Sequence, residues 1–390
     1  MRSIVLLCSI VLGIWGGTFI TGFMMGMMEQ YVDIVIEGQL SHMQVHNPGF
    51  KKDKDIHFAI GGADELVKNI SGIPGVRAAS ARMIVNGMAT SPVTGAGVSI
   101  SGIDPAHEDS VTRIGDHVID GTYFTGTKHN PVLIGEKLAK KLKVKVGGKI
   151  VLTFQDVNNN ITAGAFRVTG IFHSRSSAVD ASQVFVRSSD LSPLLGQQDS
   201  IHEIAILLKS NNDLLRVQAQ VKKICPGLLV ENWKELQPDL NVLVETMGEK
   251  TYVIITIILL ALLFGITNTM LMAVLERTRE IGILMAIGMN RKRVFSMVML
   301  ETIFLALIGG PLGLLFAWIT IHFTGTSGID LSAFAQGLSS FGFDSTIYPT
   351  LQAGQYENIF FMVLGTSVLA AVYPSLKALR LKPADAIRKI

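Results

Sequence analysis

LERTREIGILMAIGMNRKRV, residues 275–294, is a short basic stretch set between two long apolar ones. On one side, Thr251 to Leu275 carries no charged side chain; on the other, Phe295 to Phe323 holds Glu301 as its only carboxylate. Ile4 to Met28 and Ile359 to Tyr373 are likewise free of charge. The first three apolar runs can each cross roughly 30 Å of hydrocarbon as a helix, and the fourth reaches that length if it runs to about Leu376. Composition agrees. Hydrophobic residues make up 48% and charged residues only 17% of the chain, against roughly a quarter charged in soluble domains. Mean hydropathy is +0.42, which also favours a membrane protein.

The alternative for Ile4–Met28 is a cleaved signal peptide. It lacks a small-x-small cleavage site before a polar mature end, and it is longer than a signal core. It therefore reads as a retained span. Gly13 with Gly17 and Gly22 with Gly26 form two small-xxx-small pairs that would allow close helix contact.

Loop charge sets the orientation. The segment 276–293 carries Arg277, Arg279, Arg291, Lys292 and Arg293 against Glu276 and Glu280. The tail, 377–390, carries Lys377, Arg380, Lys382, Arg388 and Lys389 against Asp385. Between Gly325 and Glu357 there is no Lys or Arg. The basic loops belong inside, so both termini are cytoplasmic. The net charge of +3 reflects topology and gives no nucleic-acid footprint. The fold expected is a polytopic α-helical membrane protein with four transmembrane helices, at 1–29, 251–275, 294–323 and 358–376. A large α+β domain at 30–250 is inserted between helices 1 and 2, and a short outer loop lies at 324–357.

The outer segment, about 220 residues from Gln30 to Lys250, is long enough for its own core. Val32–Val45 reads as extended and broken at Gly38. Ala63–Ile70, Glu136–Leu142 and Leu214–Ile224 read as helices. Arg82–Val85, Val98–Ile100, Lys149–Phe154, Phe166–Ile171, Gln183–Val186 and His202–Leu208 read as strands. Strands come in runs, so α+β fits better than a doubly wound sheet. A helix leading into the second span is expected to be interrupted at Pro238.

No residues present themselves as catalytic, cofactor-binding or metal-ligating. His42 and His46 flank an extended Met43-Gln44-Val45 with no third ligand nearby in sequence, and read as turn or surface histidines. No glycine run ends in the Lys-Ser/Thr of a phosphate-cradling loop, and no GxGxxG lies between a strand and a helix. Ser101, Ser174, Ser176 and Ser177 lack a nucleophile-elbow context. Lys51, Lys52 and Lys54 read as a solvated turn or a contact to lipid headgroups. Cys8 and Cys225 fall in different compartments, so Cys225 is expected to be a buried free thiol. Glu301, about two turns from Arg293, reads as an ion-paired or interfacial carboxylate. Asn268, Thr267 and Thr269 are candidates for hydrogen bonds between helices.

Within 276–293, Ile281, Leu284 and Ile287 can share one side of a short helix that Arg279 and Glu280 precede, with Arg277, Glu280 and Arg291 left wet or paired. Gly282 would admit a partner closely, and Gly288 would end the helix before Asn290. Such a helix can dock in the groove of a soluble protein, or lie on the lipid as an interfacial anchor.

LERTREIGILMAIGMNRKRVFSMVMLETIFLALIGGPLGL resembles the signature of the FtsX/MacB/Lol-type ABC transporter permeases, with ERTREIG, the AIG turn, Glu301 and GGPLG in order. YPSLKALRLKPADAIRKI resembles their cytoplasmic tail, and PVLIGEKLAKKLKVKVGGKI (131–150) a recurring piece of their outer domain. GQLSHMQVHNPGF (38–50) is similar to the lipoprotein-releasing Lol branch. The resemblance covers essentially the whole chain. It implies an inner-membrane permease with a periplasmic MacB-like core and a smaller subdomain, and no enzyme activity of its own. ATP-Mg would be bound by a separate cytoplasmic ABC ATPase dimer, coupled through Arg277, Arg279, Glu280, Ile281, Gly282, Leu284, Ile287 and Gly288. The other implied partners are a second permease copy or sister permease, membrane lipids, a lipoprotein cargo and a periplasmic carrier. The possible intramembrane interface comprises Gly13, Gly17, Gly22, Gly26, Asn268 and Glu301. Members carry a basic amphipathic helix ahead of the first span, whereas here the apolar stretch follows directly on Met1-Arg2. The alternatives are MacB-like export of small amphiphiles or peptides, and FtsX-like signalling to a periplasmic partner, whose outer domains are typically much smaller.

Overall fold

The structure is a computed structural model that describes residues 2–124, 130–174, 176–196, 201–340 and 343–379. Most of the basic tail, from Arg380 on, lies outside the described residues. The chain divides into two compact units, one of residues 1–30, 243–333 and 345–390, the other of residues 31–242 and 334–344.

Among the described residues, four helices are long and apolar enough to cross a membrane. They belong to α1 (Arg2–Val35), α2 (Pro238–Glu276), α4 (Arg291–Ser327) and α5 (Ala353–Leu379), with the short α3 (Thr278–Ala286) between the second and third. At 1.5 Å per residue α2 is about 58 Å long, so nearly half of it extends beyond a hydrocarbon layer of roughly 30 Å. Pro238 is its first residue, where a missing N–H costs nothing. Ahead of it, the one-turn helix Trp233–Leu236 is opened by a capping box between Asn232 and Glu235.

Val32–Leu40 is helical rather than extended. α1 runs to Val35 and a π-helical turn follows over Ile36–Leu40 before the strand begins. Adding residues to an existing helix avoids the nucleation cost, which outweighs the strand preference of Val32, Ile34, Val35 and Ile36.

Among the described residues, the outer unit is built on ten strands. They are β1 (Met43–His46), β2 (Val76–Thr90), β3 (Gly95–Ile103), β4 (Val118–Gly121), β5 (Pro131–Gly135), β6 (Lys149–Gln155), β7 (Ile161–Phe172), β8 (Gln183–Arg187), β9 (Glu203–Leu208) and β10 (Leu229–Asn232). Four of them pair antiparallel in the order β10-β1-β9-β2. Helix Ala63–Ser71 connects β1 to β2, and helix Leu214–Ile224 connects β9 to β10. That is the split βαβ pattern of a ferredoxin-like sheet. The chain between β2 and β9 forms the rest. β2 pairs on with β3, then come β8, β5 and β7, and β6 joins β7 back to the far end of β2. These six strands close a ring, and Ile103, Leu133, Phe172 and Phe185 of its strands form an apolar cluster with Val179 of helix Ser177–Ser182. At Gly87, where β2 turns from one partner to the next, a Cβ would fall 2.4 Å from the Thr153 carbonyl oxygen. The helices expected at Glu136–Leu142 and Leu214–Ile224 are present with those bounds.

Candidate functional site

The signature segment folds as a helix-turn between α2 and α4. Arg277 breaks α2, and the Thr278 hydroxyl donates back to the Leu275 carbonyl at 2.6 Å. After nine residues of α3, Gly288 adopts φ +104°, a conformation that favours glycine. The Asn290 side chain then accepts from the Lys292 amide to start α4.

Around α3 the side chains divide differently from the sequence reading. Ile281 and Gly282 are buried, with Ile281 in one apolar cluster with Ile266, Met270 and Val294. Ile287 is 81% exposed and Ile283 41%. Ile281 and Ile287 are six residues apart, roughly 120° around a helix, so packing that buries one leaves the other out. Ile283, which the periodicity argument did not select, lies one turn before Ile287 and one turn after Arg279. The open face is therefore Arg279, Glu280, Ile283 and Ile287. Leu284 is half-buried, and Gly282 turns into the chain's own core. Glu301 pairs with Arg277 rather than Arg293; the guanidinium Nη1 lies 3.2 Å from Oε1 and 3.4 Å from Oε2.

The glycines mark where helices approach. A Cβ on Gly13 would fall 2.8 Å from Leu262 Cδ1, and one on Gly17 3.0 Å from Ile258 Cγ2, both on α2. Gly22 faces Ile321 of α4, and Gly26 lies under the Tyr348 carbonyl, 2.1 Å from where a Cβ would be. GGPLG has a physical reason as well. Gly309 and Gly313 receive Ile10 and Ile14 of α1, while Gly310 receives Phe360 of α5. Trp15 Nε1 donates to Thr320 Oγ1 at 3.0 Å. The bond between α2 and α5 is made by Thr267, whose hydroxyl donates to the Ala370 carbonyl at 3.1 Å; Asn268 is exposed.

In the outer unit a cavity of about 400 Å³ is lined by Gln44, His46, Arg82, Glu203 and Glu231 among others. Arg82 donates to both Glu108 oxygens and, at 2.7 Å, to Glu203, with all three side chains buried. His46 is buried, not a surface histidine, and bonds Gln44 and the His202 carbonyl. His202 accepts the Ile84 amide at Nδ1 and donates from Nε2 to the Ile56 carbonyl; burial pushes its pKa down. Lys51 pairs with Glu231. Cys225 is a free, buried thiol whose pKa burial pushes up.

Residues 252–383 match the family of FtsX-like permease C-terminal domains, and residues 3–224 that of MacB-like periplasmic core domains. The chain belongs to the FtsX/MacB/Lol-type ABC transporter permeases. It is a multi-pass inner-membrane permease subunit with its large periplasmic domain between the first two membrane helices. Membership implies a cytoplasmic ABC ATPase and a paired permease as working partners. The permease is 25% identical over 313 residues to the lipoprotein-releasing system transmembrane protein LolC of Neisseria meningitidis, covering 75% of this chain and 73% of that one. It is 24% identical to an uncharacterized ABC transporter permease of Bacillus subtilis, YvrN, over all of this chain and 96% of that one. The macrolide export ATP-binding/permease protein MacB of Bordetella avium is 28% identical over 159 residues, 38% of this chain and 24% of that one.

Proposed function

We propose that this permease takes lipoproteins from the inner membrane and hands them to a periplasmic carrier, driven by ATP hydrolysis in a separate subunit. The observation that carries this reading is the extent of the LolC likeness, three quarters of both chains, so that it takes in the periplasmic and membrane parts together. The task also needs outside energy. Each CH₂ drawn from lipid costs about 0.8 kcal/mol, and an acylated protein carries many.

In this mechanism the ATPase dimer closes against residues 276–293. The face of Arg279, Glu280, Ile283 and Ile287 is the docking surface, with Gly288 ending the helix that presents it. Gly282 and Ile281 tie the same helix to the core of the membrane unit, so that force on one is felt by the other. The membrane helices then shift at their glycine contacts, and the periplasmic domains of two permeases, like or unlike, change angle. The acyl chains leave through a lateral opening between helices. This chain's part is mechanical, and no residue of it forms a covalent bond.

Reconstitution tests this. The permease, its ATPase and a fluorescent triacylated lipoprotein in proteoliposomes should give ATP-dependent transfer of the lipoprotein to a soluble acceptor. Full ATPase activity without transfer would refute the reading and favour MacB-like export of a small amphiphile, which the MacB-like core match over residues 3–224 supports. Glu280→Ala with Ile283→Ser should weaken ATPase capture without loss of membrane insertion; undiminished capture would remove this helix from the docking surface.

A further inference from the structure

Two stretches of the chain, residues 135–136 and 173–180, meet at one end of the ring of strands. Gly135 ends β5 so close to Asp180 that a Cβ on the glycine would fall 2.3 Å from the Asp180 carbonyl oxygen. The next residue, Glu136, opens helix Glu136–Leu142. His173 follows β7, its amide fixed to the His117 carbonyl at 2.9 Å. Asp180 lies in helix Ser177–Ser182 and is fully buried.

The ligand atoms converge. His173 Nδ1 lies 3.0 Å from Glu136 Oε2 and 3.1 Å from Asp180 Oδ2, and one donor atom from each residue lies within 4.8 Å of the others. The remaining oxygens are occupied elsewhere. Lys140 pairs with Glu136 Oε1, and the Ser174 amide donates to Asp180 Oδ1. Asp180 Oδ2 is buried and has no hydrogen-bond partner among the described residues, because its approach to His173 lacks hydrogen-bond alignment. The two separations from His173 Nδ1 fit a shared metal ion. Ligand atoms bound at about 2.1 Å and separated by 90–109° lie about 3.0–3.4 Å apart, side by side rather than pointing at each other.

We propose that Glu136, His173 and Asp180 bind a first-row divalent transition-metal ion, with Zn²⁺ the best match. The imidazole selects against Ca²⁺ and Mg²⁺, and two carboxylates with one nitrogen suit Zn²⁺ with water in its remaining position. The ion compensates two carboxylates held close together, one of them out of water. Bound there, it ties the ends of β5 and β7 to helices Glu136–Leu142 and Ser177–Ser182. None of these residues belongs to the docking helix or the membrane contacts, so the site stands independently of the transport reading.

The test uses the full chain in detergent, stripped by a chelator and titrated with Co²⁺ as a spectroscopic probe. One equivalent should bind with a ligand-field absorption band, and Zn²⁺ should displace it and raise the melting temperature. His173→Ala and Glu136→Gln should each weaken binding at least tenfold, roughly the least expected for a lost ligand. His107→Ala, at an exposed histidine paired with Asp104 at 2.9 Å, should bind as the parent does. Asp180 is buried and its substitution can unfold the domain, so the decision rests on His173, which is 56% exposed. Its variant should melt like the metal-free parent and lose only the rise given by Zn²⁺. Absence of saturable binding, or binding that survives His173→Ala, overturns the site. So does a His173→Ala variant whose metal-free melting is already lowered, because that is the mark of a plain ion pair.

Discussion

A guanidinium as deeply buried as that of Arg82 depends on both its carboxylates, because breaking a buried pair leaves a charge out of water with nothing to balance it. Glu108→Ala should therefore destabilise the periplasmic domain by about 3–5 kcal/mol, read as a large fall in the melting temperature of the full chain. A change within error would show the network to be dispensable. His42 gives a second prediction. Burial lowers its pKa from 6.5 to about 4, and its Nδ1 accepts the Leu208 amide, which requires the neutral ring. The unfolded chain takes up this proton near pH 6.5 and the folded one only near pH 4. The stabilisation is thus complete above pH 6.5 and is lost as pH falls toward 4, by on the order of 3 kcal/mol. His42→Gln should flatten that part of the curve of melting temperature against pH; an unchanged slope would clear His42. None of this was legible in the sequence. Arg82 reads only as part of a strand, and its partners lie 26 and 121 residues away.

Among the elements, the long helices were legible and their contacts only partly so. A retained first span follows from uncharged length, and the glycine spacing marks where it could be approached. The sequence did not say by what. Gly26 meets a backbone carbonyl and Gly313 meets both the Ile14 side chain and the Val11 carbonyl; a backbone group cannot rotate away as a side chain can. Gly26→Ala and Gly313→Ala should each cost about 1–3 kcal/mol in the thermal stability of the purified permease. At Gly16 nothing among the described residues lies within 4 Å of an added Cβ, so Gly16→Ala should be neutral or stabilising by up to about 1 kcal/mol. Equal effects at all three would mean that close approach is not what these glycines provide. For α3 the helix was read correctly but its faces were not, since Ile281 and Ile287 were placed on one side and one is buried while the other is open. Periodicity shows which residues share a face, but α2 and α4 choose the face that is covered. Val32–Leu40 failed for a related reason, since a local strand preference was weighed without the helix already running into it.

For the whole molecule, charge asymmetry across the apolar stretches is the decisive quantity, and it makes a direct prediction. In a background of Cys8→Ser and Cys225→Ser, an impermeant thiol reagent should label Lys68→Cys in cells with only the outer membrane opened. It should label Arg279→Cys only after the inner membrane is breached. Equal access to both would undo the topology. The sequence by itself determined the four spans, their orientation, the inserted α+β domain and the kinship of the chain, because hydrophobic length and loop charge are sums over neighbouring residues. Only the tertiary structure decided which face of α3 is open, which partner Glu301 takes, how β6 closes the ring and how Glu136, His173 and Asp180 come together. Those depend on contacts between residues far apart in the chain, and spacing along a sequence carries no record of which distant side chains will share a place.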